Sequence, residues 1–294
     1  MKQVLLLGNP KSGRGKSALY MELFQRGFAA HGVATILVSG KSANENSRAL
    51  HSSLSQNIDA VVVIGGDGSV HLAIQELALS EIPLYVFPCG TGNDFARTGG
   101  SLDLDVNRAV TRILETKPTE IDLGRTHSQT GSQWFGQVLS TGFDSLVNER
   151  ANKFRFIKGQ IKYTIATLLE LPLFRPYEYQ VITPAGTRNI PAMLIAVANG
   201  ASYGGGMQIC PTADRTDGLF DVMVLHPVGK FELLRVFPKV FQGKHVNHPA
   251  VEFIRLAKLT LESDALAYAD GERIGTLPIN IEIVPRALKV WATS

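Results

Sequence analysis

The chain has 294 residues, 45% of them hydrophobic and 19% charged, with a formal net charge of +3. That length favours two domains with a core each, and the slight positive charge admits an anionic ligand or membrane surface while excluding a charge-driven nucleic-acid binder. Two cysteines, Cys89 and Cys210, exclude a disulfide framework and a zinc cluster and fit a reducing, cytosolic compartment.

The first apolar run, residues 4–7, is too short for a signal peptide, and no stretch reaches the roughly eighteen apolar residues of a membrane span, so any membrane contact is expected to be peripheral. Residues 4–7 read as a buried strand and 9–17 as the glycine-rich loop that follows it. An amphipathic helix is predicted over 17–30, a strand over 33–39, a helix over 43–54, a strand over 60–64 and a helix over 70–79. This β-loop-α alternation predicts a doubly wound, mostly parallel α/β domain.

Two of its turns carry the chemistry. Gly65-Gly66-Asp67-Gly68-Ser69 follows the strand at 60–64, and Gly90-Thr91-Gly92-Asn93-Asp94 follows a strand at 83–88. Glycine lets the backbone approach a polyphosphate closely, and the crevice beyond the carboxyl ends of parallel strands is where nucleotides sit. A carboxylate beside phosphates needs a cation between them, so Asp67 and Asp94 point to magnesium with the nucleotide. Each turn alone also reads as an ordinary Asp/Asn turn; the two after consecutive strands favour function.

The 9–17 loop fails as a P-loop, because Pro10 stands where the first glycine belongs and the Gly8/Gly13 pairing puts Arg14 in place of lysine. A dinucleotide fingerprint fails on spacing too. What remains is a turn whose Lys11, Arg14 and Lys16 bring cations to the same crevice, or a solvated basic loop.

The boundary is expected near 117–125. Beyond it the pattern changes to strands at 134–140, 177–183, 190–199, 220–225, 251–256, 258–262, 266–269 and 279–284, with helices at 161–171 and 230–241. That predicts a mainly antiparallel β-sandwich as the second domain. The division expected is 1–122 for the nucleotide-binding domain and 123–294 for the sandwich, with the last strand free to return to the first domain.

The chain resembles the diacylglycerol kinase catalytic-domain superfamily in its bacterial lipid kinase branch, which includes relatives of sphingosine kinases. The resemblance rests on Asn9-Pro10 with Gly13 and Gly15, the two glycine turns, Asp122-Leu123-Gly124, Asp217-Gly218-Leu219-Phe220-Asp221 and Asp270-Gly271-Glu272, in the family's order. Two departures stand out: Ser69 replaces the commoner threonine, and His71-Leu72 stands for the usual Asn-Glu, leaving Glu76 as a partial substitute or a surface carboxylate.

The resemblance implies a magnesium- and ATP-dependent lipid kinase, its first domain like those of NAD kinases and phosphofructokinases, with the nucleotide between the domains. It places nucleotide contacts on Asn9, Ser39, Gly65, Gly66, Asp67, Gly68, Ser69, Val70, His71, Thr91 and Asn93, with Asn9 and Asn93 shaping their loops. Glu272 corresponds to the general base, Asp67 and Asp94 serve the magnesium, and Asp122 and Asp270 support them. A structural magnesium is implied at Asp214, Asp217 and Leu219.

For the lipid, residues 154–163 with Arg155, Lys158 and Lys162, and a stripe of Ile161, Ile165, Leu168 and Leu169, read either as an anionic-membrane surface or as a core-facing helix. Tyr203-Gly204-Gly205-Gly206-Met207 is a candidate acyl-chain entrance, and His245 and His248 read as structural. A soluble-substrate kinase of the NAD kinase type and a catalytically silent relative are the alternatives. The lipid acceptor (diacylglycerol, phosphatidylglycerol, a sphingoid base or ceramide) and a homodimer stay open.

Overall fold

The computed structural model describes residues 1–9, 15–100, 102–154, 165–166, 169–170 and 174–291. The chain divides into two units: Met1–Asp122 together with the residues from Pro285 on, and Leu123–Val284.

The first unit is built on parallel strands. β1 (Gln3–Gly8), β2 (Ala34–Val38), β3 (Ala60–Gly65) and β4 (Leu84–Pro88) lie in the order β2-β1-β3-β4. Val4 faces Thr35 on one side and Ala60 on the other, and Val61 faces Leu84. Residues Val4 to Leu7 and Ala60 to Ile64 are all buried, as expected of central strands covered on both faces. Val4, Leu6, Val62, Ile64 and Phe87 pack on one side with Phe24 and Phe28 of α1 (Lys16–Ala29) and Val110 and Ile113 of α5 (Val106–Glu115).

The remaining helices, α2 (Ala43–Leu54), α3 (Asp67–Leu77) and the short α4 (Asp94–Thr98), each follow their strand as the alternation requires. α2 opens on a capping pair in which Ser42 accepts Glu45 N–H at 3.2 Å and the Glu45 carboxylate accepts Lys41 N–H at 2.8 Å. Strand order reverses beside β1, since β2 lies on one side and β3 on the other, and this switch fixes where the strand ends open a crevice.

The second unit is a sandwich of antiparallel strands. One sheet runs β12 (Val251–Leu256), β11 (Phe220–Leu225), β10 (Leu194–Ala198), β7 (Val138–Gly142), β14 (Leu266–Ala269), β15 (Glu272–Thr276). The other joins β13 (Lys258–Glu262), β8 (Tyr177–Thr183) and β9 (Gly186–Ala192) with the first part of β16 (Ile279–Val290). β5 (Thr119–Ser128), whose first residues belong to the first unit, forms a hairpin with β6 (Gly131–Phe135).

Alternation sorts the side chains: Ile195 and Val197 join Val181, Leu259, Leu261 and Ile281 in the core between the sheets, where Phe135 and Phe220 stack at 5.7 Å. Leu194, Ala196 and Ala198 face the opposite side, covered by Phe143 and Val147 of α6 (Phe143–Lys153) and Leu233 and Val240 of α7 (Lys230–Val240).

Several sequence expectations are revised. The strand read over 134–140 is broken between β6 and β7, where Asp270 takes the N–H groups of Gly136, Gln137 and Val138. The run at 190–199 turns at Met193 from one sheet into the other. The units divide at Asp122 and Leu123, within the stretch 117–125, and that stretch contains most of the ordered strand β5, while β16 runs on to Val290. The helix expected at 161–171, with most of the lipid surface at 154–163, lies largely outside the described residues, as do Lys11 and Arg14.

Candidate active site

β3 and β4 end side by side, Gly65 opposite Pro88, and their turns touch backbone to backbone. A Cβ on Gly66 would lie 3.0 Å from Gly90 Cα, and one on Gly90 would overlap Gly66 Cα and approach Asn93 Oδ1 to 2.8 Å. Cys89 N–H donates to Gly65 O at 2.9 Å, tying the second turn to the first. Asn93, at φ 55°, accepts Gly90 N–H at 2.9 Å and donates to Gly90 O at 3.1 Å, which closes its own turn. Asn93 thus shapes the loop.

Asp67 opens α3 and Asp94 opens α4. A Cβ on Gly92 would meet both carboxylates, at 2.6 Å from Asp67 Oδ2 and 3.4 Å from Asp94 Oδ2, so the two acids flank one residue. Burial pushes the Asp67 carboxyl up to about 6, the neighbouring Asp94 charge adds to the rise, and N–H groups of Phe95, Asp94 and Asn93 oppose it. The Phe95 N–H donates to Asp67 Oδ1 at 3.3 Å. Two acids this close repel each other when both are ionised, which adds to the rise at Asp67.

Gly68 and Thr91 are exposed on the same two turns, Ser69 is half-buried, and Val70 and His71 are buried on α3. Asn9 follows β1 and Ser39 is exposed just past β2, so both stand at the carboxyl edge of the sheet. Lys16 begins α1, and its charge acts on the Cys89 thiol, which burial raises. Ser17 is buried and donates to Ile64 O at 3.1 Å, a packing role that agrees with the failed P-loop spacing. Glu76 accepts from Ser47 at 3.3 Å and contacts His51 at 2.9 Å, so its partners are on α2.

Asp122 is buried on β5 and accepts Arg286 N–H at 2.8 Å, both residues being in the first unit. Its carboxylate is bonded to the chain's returning segment.

In the second unit Asp270 and Gly271, at φ 50° and 86°, make the two-residue turn between β14 and β15. The Asp270 carboxylate accepts Gly136 N–H at 2.7 Å on one oxygen, and Gln137 and Val138 N–H at 2.9 and 3.2 Å on the other. That anchors the hairpin on which Glu272 stands. Glu272 is exposed and its side chain has no hydrogen bond or ion pair among the described residues. No local pattern marks the aspartate as the holder of the strand break at 136–137.

Asp144, beside β7, accepts from Ser140 at 2.6 Å and Asn148 at 3.1 Å, and burial raises its pKa; nothing in the sequence singled it out. The 203–207 loop is closed on itself by Tyr203 and Met207, which exchange backbone bonds at 3.1 and 2.9 Å.

At the implied structural magnesium loop, Asp217 accepts Leu219 N–H at 2.9 Å and pairs with Arg255, while Asp214 accepts from Thr216 N–H at 2.9 Å and its hydroxyl at 2.7 Å. Arg255 also faces Asp221 at 3.7 Å. A guanidinium supplies the positive charge at this loop, and a magnesium ion there would have to displace it. Among the described residues no three His, Cys, Asp or Glu side chains gather as a metal set.

A parallel α/β unit with paired glycine turns and an acid pair, followed by a β-sandwich, has the features of a nucleotide-binding phosphotransferase. Residues 3–126 match the diacylglycerol kinase catalytic domain, and residues 137–292 match the YegS C-terminal NAD kinase beta sandwich-like domain. A diacylglycerol kinase of Mycobacterium tuberculosis strain H37Rv is 39% identical over 292 residues, covering 98% of this chain and 94% of the relative. One from Bacillus subtilis strain 168 is 27% identical over 283 residues, with 95% and 92% covered. The crystal structure of a diacylglycerol kinase from Bacillus anthracis strain Sterne shares the fold at TM-score 0.73 and 21% identity, over 98% of this chain and 96% of that one. The chain belongs to the diacylglycerol kinase family, in its bacterial lipid kinase branch, and is a phosphotransferase with an alcohol acceptor.

Proposed function

We propose that the chain transfers the γ-phosphoryl group of ATP to the hydroxyl of a membrane lipid, with diacylglycerol the first candidate because relatives that span nearly the whole chain carry that name. The observation that carries this reading is the Asp67–Asp94 pair beneath two glycine turns in backbone contact. In this reading the turns at 65–71 and 90–94 hold the phosphates, with Asn9, Ser39 and Thr91 at the rim. Asp67 and Asp94 hold a magnesium ion, which when bound neutralises phosphate charge.

Glu272 accepts the proton of the lipid hydroxyl as its oxygen bonds to the γ-phosphorus and the bond to the bridging oxygen of ADP breaks. Asp270 positions Glu272, and Asp122 secures the returning segment. Phosphoryl transfer requires charge neutralisation and alignment more than covalent help, and these residue types supply both. The enzyme acts in the cytoplasm at the membrane surface; among the described residues no helix is long and apolar enough to cross it.

The test uses ATP labelled at the γ-phosphate, mixed micelles of diacylglycerol, phosphatidylglycerol, sphingoid base or ceramide, and NAD as a soluble acceptor. Labelled lipid with wild type and a roughly 10²-fold or greater loss in Glu272→Gln is expected, with an unchanged melting temperature because the side chain is exposed. Labelled NAD without labelled lipid would replace this reading with the soluble-substrate one. Full turnover by Glu272→Gln would remove that residue from the chemistry.

A further inference from the structure

Helix α7 carries two apolar stripes. Leu233, Val236 and Val240 are buried, the first and last in the core under the six-stranded sheet. Phe231, Leu234, Pro238 and Phe241 recur at spacings of three, four and three along the same helix and its cap. These side chains face solvent: Phe231 is 90% exposed, Phe241 45% and Leu234 42%. Phe237, between the stripes, sets its ring edge-on to Phe241 at 6.2 Å.

One exposed leucine on a soluble protein needs no explanation, but a nearly bare phenylalanine in a periodic stripe does. The charges around it are mostly basic. At 100° per residue Lys230 falls on one flank of the outer stripe and Arg235 and Lys239 on the other, with Lys244 just beyond the helix, all exposed. The helix has a single acid, Glu232, and it is engaged at 3.1 Å by His248. Arg235, Lys239 and Lys244 have no ion pair among the described residues.

An apolar face rimmed by cations can be covered by a bilayer or by another protein. A second copy meeting this face symmetrically would set the same cations against each other, which opposes association. An anionic lipid surface meets both needs, apolar contact for the rings and phosphates for the cations.

We propose that α7 docks the chain onto anionic lipid bilayers, with Phe231, Leu234 and Phe241 entering the boundary between headgroups and acyl chains and Lys230, Arg235, Lys239 and Lys244 facing lipid phosphates. This element is separate from the 154–163 surface that the sequence suggested. The inference rests on the lipid kinase reading only for the location of the acceptor; docking itself is measurable without turnover.

The full chain is sedimented with phosphatidylcholine vesicles, with and without phosphatidylserine. Binding is expected only with phosphatidylserine and should weaken as salt rises. Phe231→Ser with Leu234→Ser and Phe241→Ser, and separately Arg235→Glu with Lys239→Glu, should each weaken it about tenfold or more. Phe231→Trp should give emission that shifts to the blue on adding the anionic vesicles, a readout that needs no loss of binding. Phosphorylation of short-chain, water-soluble diacylglycerol should stay within about twofold in the variants, showing that they are folded.

Equal vesicle binding by variants and wild type, or equal binding to neutral and anionic vesicles, overturns the proposal. So does a dimer that the triple serine variant converts to monomer while vesicle binding persists. If wild type fails on the soluble acceptor yet vesicle binding is lost in variants whose thermal melts match wild type, docking stands and the diacylglycerol assignment falls.

Discussion

Asp67→Asn is expected to stabilise the folded chain at neutral pH while abolishing phosphoryl transfer. The Asp67 carboxyl sits at about 6 in the folded protein against an ordinary 3.8, chiefly through burial and secondly through Asp94. That gap corresponds to about 3 kcal/mol of destabilisation once the group is ionised in both states. Partial solvent access reduces it, and asparagine still accepts the Phe95 N–H, so a net gain of about 1–3 kcal/mol is expected.

The sign follows from the raised pKa. Well below the ordinary 3.8 the carboxyl is protonated in both states and the variant gains nothing; between about 3.8 and 6 the unfolded chain ionises first and wild type loses ground; above about 6 the gap approaches its full size. Thermal melts of both proteins in chelator at pH 4, 5 and 7.5 should show a rise of roughly 3–8 °C at pH 7.5 that shrinks to about a fifth of that at pH 4. Magnesium with ATP should then raise wild type and leave the variant unmoved. A variant that melts at or below wild type at pH 7.5, or that gains as much at pH 4, would refute the electrostatic reasoning.

Gly90→Ala forces a methyl into Gly66 Cα and Asn93 Oδ1, so a loss of about 1–3 kcal/mol with most of the activity is expected, whereas Gly229→Ala, in open space, should cost under about 0.5 kcal/mol. Urea melts of the pair decide it, and equal costs would mean the turns do not need the close approach. Asp270→Ala leaves the Gly136, Gln137 and Val138 N–H groups without their acceptor and should cost about 3 kcal/mol or more, with Asp270→Asn recovering part of it. A loss under about 1 kcal/mol would show that the carboxylate does not hold the hairpin.

Local pattern carried much of the first unit. Continuous apolar runs such as Val61 to Ile64 are what a strand buried on both faces requires, and glycine at 65, 66 and 90 is what two touching turns require. What the sequence hid depends on partners distant along the chain. The break at 136–137 is made by Asp270, the Asp217 carboxylate is met by Arg255, and Glu76 is claimed by His51; a period of two or 3.6 residues carries no such information. The corner at Met193 was equally silent, since Ala192 and Leu194 on either side of it are both apolar and buried. In α7 the periodicity was visible, but which of its two stripes the sheet would cover was not.

The first unit is completed by residues from Pro285 on: Val290 pairs beside Leu84, Trp291 lies in the core with Phe24 and Phe87, and its indole N–H donates to Thr116 O at 3.2 Å. On the ribosome, therefore, the first unit is begun first and completed only after the second. At about 5–20 residues per second its strands wait on the order of ten seconds or more for their final edge, while the whole sandwich is synthesised between them. During that interval the side of β4 that Val290 will occupy is an open strand edge, and a newly made chain is most exposed there to wrong pairing or to a chaperone.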